Sequence, residues 1–317
     1  MRKTVNNCHV EGYLYEHKLE MKVTGDTAKN PGTEFITGTI GIATDDEMTN
    51  VVQVHFTYVT AMTSKQKPNA TFNILQAIID GKLGSVIENG KEDACMLRID
   101  TAIGLNEWYD TKGTGDLISV KRNEGGFVHQ TQELGLPQNR ATFDADMLIN
   151  SINRMEADEE NNKPEKMVLS GYIFNFRGEL LPVEFVVYNP KGMDYFESQD
   201  ISPSSPMFTE VRGNQVSKTI VTTVEEEGAF GDASIREVRS SQRDFVVSWV
   251  KPVPYDWDGE DLLATELDEK VADRELYLAD VKKRQDDYEA TKGNGFNNAK
   301  KPAGAAAGVK KSKDYDF

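Results

Sequence analysis

"NVVQVHFTYVT", residues 50–60, alternates with a period of two. Val52, Val54, Phe56 and Tyr58 fall on one side and Gln53, His55 and Thr57 on the other. That pattern predicts a strand with one face in a core and one in water. Two upstream stretches repeat it. "HVEGYLYEHKLEMKV" (9–23) sets Val10, Gly12 and Leu14 against Glu11, Tyr13 and Tyr15. "EFITGTIGIAT" (34–44) sets Ile36, Ile40 and Ile42 against Phe35, Thr37 and Thr39. Gly12, Gly38 and Gly41 inside these runs predict bends or bulges of the kind a small barrel needs at its corners.

The period then changes. "TFNILQAIIDG" (71–81) has helical spacing through Phe72, Leu75, Ile78 and Ile79. Asn69 or Thr71 is the expected cap and Gly81 the stop. "ACMLRIDTAIGL" (94–105) and "DLISVKR" (116–122) return to strands. Three strands, a helix and two strands is the element order of an OB-fold, a five-stranded Greek-key barrel. The fold class expected is therefore mainly β, with an OB-like barrel over 1–135.

A second β-rich unit, possibly OB-like, is expected over 136–255. "MVLSGYIFNFRGELLPVEFVVYN" (167–189) reads as a hairpin around Arg177-Gly178, and "KTIVTTVEEE" and "RDFVVSWVKPV" as later strands. No helix is evident between them, and the halves share no sequence repeat. Residues 256–291 read as an acidic helix, with Leu263, Leu267, Val271, Leu278 and Val281 near one stripe. Residues 256–289 hold 13 Asp/Glu against 5 Lys/Arg. Residues 292–317 read as a flexible linker and an acidic-aromatic tip, with 6 Lys and no acid over 292–313.

The 317 residues carry a net charge of −16 and a pI near 4.8. Such acidity opposes nonspecific sticking to nucleic acid or anionic membrane, so any nucleic-acid site must be a local feature. Cys8 and Cys95 are the only cysteines, which suits a reducing cytoplasm better than a disulfide framework. The N-terminus lacks an apolar signal segment, and no run of about 18 apolar residues predicts a membrane span. No metal-ligand spacing, phosphate loop, cofactor fingerprint or nucleophile elbow appears. The expectation is a binding protein without catalytic residues, metal or cofactor.

Flat side chains beside cations point to single-stranded nucleic acid. Bases stack on rings for about 1–3 kcal/mol each, and Lys or Arg follow the phosphates. The outward faces of the first barrel offer Tyr13, Tyr15, Phe35 and His55. Lys65 and Lys67 lie in the next loop, Arg98 on the fourth strand, and Lys121 and Arg122 on the fifth. Trp108 either caps the barrel end or stacks a base, and Arg177 adds a cation from the second unit. The competing reading buries these rings against the second unit or a dimer partner. Tyr172, Phe174 and Phe176, three aromatics on one face, read as core. At the C-terminus Asp314, Tyr315, Asp316 and Phe317 form a tethered acidic-aromatic peptide, a form that a basic-rimmed pocket on a partner can capture.

A barrel, no catalytic motif, a linker and the ending "DYDF" resemble the single-stranded DNA-binding proteins of bacteria and their phages. "NVVQVHFTYVT", "SGYIFNFRGELLPVEFVVYN" and "EEEGAFGDASIREVRSSQRDF" are similar to phage-encoded proteins of this type. The resemblance implies non-sequence-specific binding of single-stranded DNA in phage replication or recombination, in the host cytoplasm, possibly as a homo-oligomer. It also implies that Asp314 to Phe317 recruit replication or recombination partners. Two alternatives stand beside it. One is an acidic assembly or DNA-mimicking protein that binds no nucleic acid. The other is a metal-dependent nuclease built from scattered carboxylates.

Overall fold

The alternating stretches become strands, and their pairing order closes two barrels. The described residues of the computed structural model are 2–294, without 27, 112, 159–162 and 227–233. For 219–226, 234–241 and 291–294 only the backbone is described. The tip at Asp314 to Phe317 and the linker from residue 295 lie outside these residues.

The first barrel consists of β1 (Asn6–Val23), β2 (Glu34–Ala43), β3 (Val51–Thr60), β4 (Met96–Tyr109) and β5 (Leu117–Gln130). Between its third and fourth strands come α1 (Ala70–Ile79) and the one-turn α2 (Val86–Asn89). The second barrel consists of β6 (Ala141–Met155), β7 (Lys166–Phe174), β8 (Leu180–Val187), β9 (Met207–Glu226) and β10 (Ser234–Val250). Its helix, α3 (Pro190–Glu197), again follows the third strand, and α4 (Ala264–Asn294) ends the described chain.

Hydrogen bonding runs β2-β3-β5-β4-β1-β6-β7-β8-β10-β9, with β2–β1 and β6–β9 closing the two ends. Each half has the same order, and in each the third and fifth strands pair in parallel, Val54 with Asn123 and Val186 with Val246. Both are OB-type barrels. They are joined edge to edge, because Asn6 to Val10 of β1 pair antiparallel with Ala145 to Ala141 of β6.

The first core holds Leu14, Ile36, Ile40, Val54, Phe56 and Leu97, with Leu75 and Ile78 of α1 packed into it. Asn69 caps α1 through its side chain, which accepts from the Thr71 N–H at 3.2 Å. Thr71 instead turns inward and accepts from the Val128 N–H. The second core holds Phe143, Met147, Leu169, Phe185 and Val211, with Met193 and Phe196 of α3. The expectation of no helix in the second unit is thus corrected. α3 is eight residues long, started by Pro190 and capped by Asn189, with only two buried anchors. So short an element leaves almost no periodic signal.

A third cluster lies outside the second barrel, where Leu148, Phe174 and Phe208 meet Tyr255 and Leu262, flanked by Leu267 and Val271 of α4. β6 is consequently covered on both faces and buried continuously from Ala145 to Ile149. The predicted stripe on α4 is half-buried at Leu267, Val271, Leu278 and Val281, while Leu263 is exposed. The helix continues to Asn294, past the expected start of the linker at 292. Among the described residues no helix is long and apolar enough to cross a membrane.

Candidate nucleic-acid interface

Two bulges decide which side chains reach the outer face of the first barrel. β2 and β3 slip register between Ile36 and Gly38, where Gly38 has φ +129°. On β3 two residues, Thr57 and Tyr58, oppose Thr37 alone. Beyond the slip the alternation changes parity. Tyr58, expected inside, is therefore 44% exposed, and Phe35, expected outside, is fully buried beside an equally buried Ile36. Their ring centroids lie 4.7 Å apart, so Tyr58 covers Phe35. Phe35 is withdrawn as a contact residue.

The second bulge is on β5. The register with β4 slips between Asp100 and Ala102, opposite Gly125 and Gly126, which have φ +62° and +117°. A Cβ on Gly126 would stand 2.4 Å from the Asp100 carbonyl oxygen, so only glycine permits this approach. The bulge leaves Phe127 72% exposed. The turn between β7 and β8 leaves Phe176 91% exposed, which corrects its assignment to the core. Phe174 and Phe176 differ because the strand ends at Phe174 and the Asn175–Glu179 turn begins. The Asn175 side chain then accepts from the Arg177 and Glu179 N–H groups, both at 2.9 Å.

These elements border a groove of about 660 Å³ between the barrels. Gly104 and Glu107 of β4, Arg122 and Glu124 of β5, Phe176 and Arg177 of the turn, and Lys270, Asp273, Arg274 and Tyr277 of α4 line it. Arg177 lies 5.1 Å from the Phe176 ring centroid and 3.9 Å from Glu179. Arg122 donates to Glu124, through Nε at 2.8 Å. Arg274 pairs with Glu107 and also donates to the Leu180 carbonyl at 3.2 Å. Lys270 Nζ donates to the Gly178 carbonyl at 2.6 Å. His55 stands beside this groove on β3, bonded to Thr39 Oγ1 at 3.1 Å. Burial first, then the Arg122 charge, holds its imidazole below the usual range.

Of the residues singled out in the sequence, Arg122 and Arg177 line this groove, with His55 beside it within reach of the Arg122 charge. The others do not. Tyr13 is half-buried beneath Lys91, 5.3 Å from its ring centroid. Tyr15 is half-buried at the β1 bulge between Leu14 and Glu16. Lys65 and Lys67 are exposed in the loop before α1. Arg98 is exposed and pairs with Glu11 at 3.4 Å. Trp108 is 37% exposed near the tip of the β4–β5 hairpin.

Lys121 points to the opposite side of β5 from Arg122. Its Nζ donates to the Glu184 carbonyl of the second barrel and lies 5.6 Å and 5.5 Å from the Phe185 and Phe245 centroids. Desolvation holds its pKa below the ordinary lysine value. It fastens the seam and does not line the groove, so it too is withdrawn from that site.

Phe127, Phe176, Lys270, Arg274 and Tyr277 were not singled out as contacts by sequence reasoning. The Gly125-Gly126 pair inside a strand was the available signal for Phe127. The groove joins flat apolar rings to guanidinium and ammonium groups, the combination that holds bases and phosphates together. Among the described residues, no group of three or more His, Cys, Asp or Glu is placed to hold a metal ion. The thiols are raised by burial, that of Cys95 to about 11 and that of Cys8 further.

Among solved structures, the chain is similar to the single-stranded DNA-binding protein from Thermus aquaticus. The wild-type protein aligns at 11% identity and a TM-score of 0.45, over 79% of this chain and 93% of that one. A deletion mutant of it aligns at 9% identity and 0.46, over 81% and 98%. No curated protein matches the chain. A family model described as YorF matches residues 4–284, and the chain belongs to that family.

Proposed function

We propose that this protein binds single-stranded DNA without sequence specificity, in phage DNA replication or recombination. The observation that carries the reading is the groove between the barrels, where exposed Phe176 stands among Arg122, Arg177, Lys270 and Arg274. The rings stack bases and the cations follow phosphates, with no chemical step required. The acidic-aromatic end, Asp314 to Phe317, recruits replication or recombination partners, and the site of action is the host cytoplasm.

The test is fluorescence anisotropy of labelled oligo-dT of about 30 nucleotides at low and moderate salt. If Arg122, Arg177 and Lys270 meet phosphates, log affinity falls against log salt with a slope of about −2. Absence of binding at low salt overturns the reading. One observation favours a second reading, an acidic assembly or DNA-mimicking protein. Glu107, Glu124, Asp273 and Glu179 face the four cations across the same groove. That reading predicts a stable protein complex and no affinity for the oligonucleotide.

A further inference from the structure

Two cavities meet at the seam between the barrels, and they differ in charge. The groove described above carries four Lys or Arg side chains. Beside it lies a cleft of about 550 Å³ whose lining contains no Lys or Arg. Its charged groups are Asp100, Glu124 and Asp144, with His9. Ala102, Glu124 and Phe176 line both cavities, so the two adjoin. Phe127 and Phe176, the exposed rings, both line the cleft.

A phosphate is repelled by three carboxylates, and a neutral flat ring is not. The walls present apolar area and the edges present acceptors. Asp100 Oδ1 takes one bond from His9 Nδ1 at 2.9 Å, and Asp144 Oδ1 lies 3.0 Å from Arg212 Nε as an ion pair, while that N–H donates to Glu210. An ionised carboxylate has about four acceptor positions, so each retains capacity. Asn7, also in the lining, is exposed.

Resting on the single-stranded DNA reading, we propose that this cleft is a base subsite. The phosphates run through the cationic groove while one base turns into the cleft against Phe127 and Phe176. The subsite favours a base that carries an amino group over thymine. Cytosine, adenine and guanine each offer an exocyclic N–H₂ to Asp100 or Asp144. Thymine flanks its single N–H with two carbonyl oxygens, which face carboxylates unfavourably. Stacking elsewhere stays sequence-tolerant, so the preference is a modest one superimposed on general binding.

The test compares labelled dC and dT oligomers of about 12 nucleotides near pH 8, by anisotropy, on the full chain. The expected result is dC binding about fivefold or more tighter than dT. Asp100→Asn/Asp144→Asn, at one exposed and one half-buried position, is expected to bring the two affinities together. Phe127→Ala is expected to weaken dC binding about fivefold or more. Equal wild-type affinities overturn the subsite and leave the DNA-binding reading standing. A preference that survives the double variant overturns it too, because the base is then read elsewhere. Failure of both oligomers to bind at low salt overturns the subsite together with the reading beneath it.

Discussion

Asn123 of β5 donates through Nδ2 to Gln215 Oε1 of β9 at 2.7 Å, across the seam between the barrels. Both side chains are 4% exposed. The network extends on either side. Asn123 Nδ2 also reaches the Gln53 carbonyl, and Gln215 Nε2 donates to the Thr142 carbonyl at 3.2 Å. Asn50 donates to the Gln215 carbonyl at 3.1 Å and accepts from the Ser217 N–H at 2.6 Å. Amides from both barrels thus bond across a buried seam, with Asn123 Oδ1 left without a hydrogen-bond partner, and this network helps to fix how the barrels face the groove.

A buried amide that loses its partner keeps its desolvation cost. Gln215→Leu is expected to lower the unfolding free energy by about 1–3 kcal/mol. Urea denaturation should show a lower midpoint at unchanged m-value. An unchanged midpoint would mean that the backbone pairing of β1 with β6 holds the seam by itself.

α4 is tied to the first barrel by one buried ion pair. Glu107 is 2% exposed and Arg274 12% exposed at their side chains. Gln285 adds a bond from the Tyr109 N–H at 2.9 Å. Arg274→Ala strands the Glu107 carboxylate, and breaking such a pair costs about 3–5 kcal/mol. Restoring neutrality with Arg274→Leu/Glu107→Leu should recover most of that loss. If the double variant is as unstable as the single one, the pair acts through packing of the Arg274 stem and not through charge.

Two buried carboxylates make opposite contributions with pH. Desolvation raises Glu11, but the Gly135 N–H, His9 and Arg98 outweigh it and leave its pKa below the ordinary 4.5. Its stabilisation is complete above 4.5 and is lost as the pH falls through the lowered value. Asp146 is the reverse. Desolvation dominates over the Val5 N–H, the Tyr255 hydroxyl and Arg2, so its pKa stands above the ordinary 3.8. It binds its proton more tightly folded than unfolded, and stability falls as the pH rises above 3.8. Glu11→Gln should therefore destabilise most near neutrality and least in acid. Asp146→Asn should gain on the wild type as the pH rises. Parallel pH profiles of Tm for the two variants would contradict both signs.

The first barrel was legible because its strands have one wet face. Val52, Val54 and Phe56 obey strict alternation and are buried as read. Legibility stops at the bulges, where one extra residue on β3 turns Tyr58 outward onto Phe35 and so buries Phe35. A bulge is a pairing event between distant strands, and a single strand's sequence marks it only by a glycine. The second barrel was less legible because segment 255–271 covers the outer face of β6, which removes the period-two signal from Ala145 to Ile149. The groove was hardest to see. Arg122, Phe176 and Arg274 are far apart in the chain and meet only through the joining of β1 to β6 and the placement of α4.

Adjacent residues Lys121 and Arg122 give the sharpest test of that groove, because strand geometry sends them to opposite sides. Lys121 is desolvated in the seam, and Arg122 lines the groove. Lys121→Met keeps the apolar stem over Phe185 and Phe245 and removes the half-buried, partly desolvated ammonium. It is expected to leave oligo-dT affinity and its salt slope unchanged. Arg122→Gln removes one phosphate-neutralising charge. It is expected to weaken binding at low salt and to flatten the slope by about 0.7. The measurement is the affinity of each variant across a salt series. Equal slopes for Arg122→Gln and the wild type would place the phosphates elsewhere on the barrels. A flattened slope in Lys121→Met would mean that the seam opens to admit the strand.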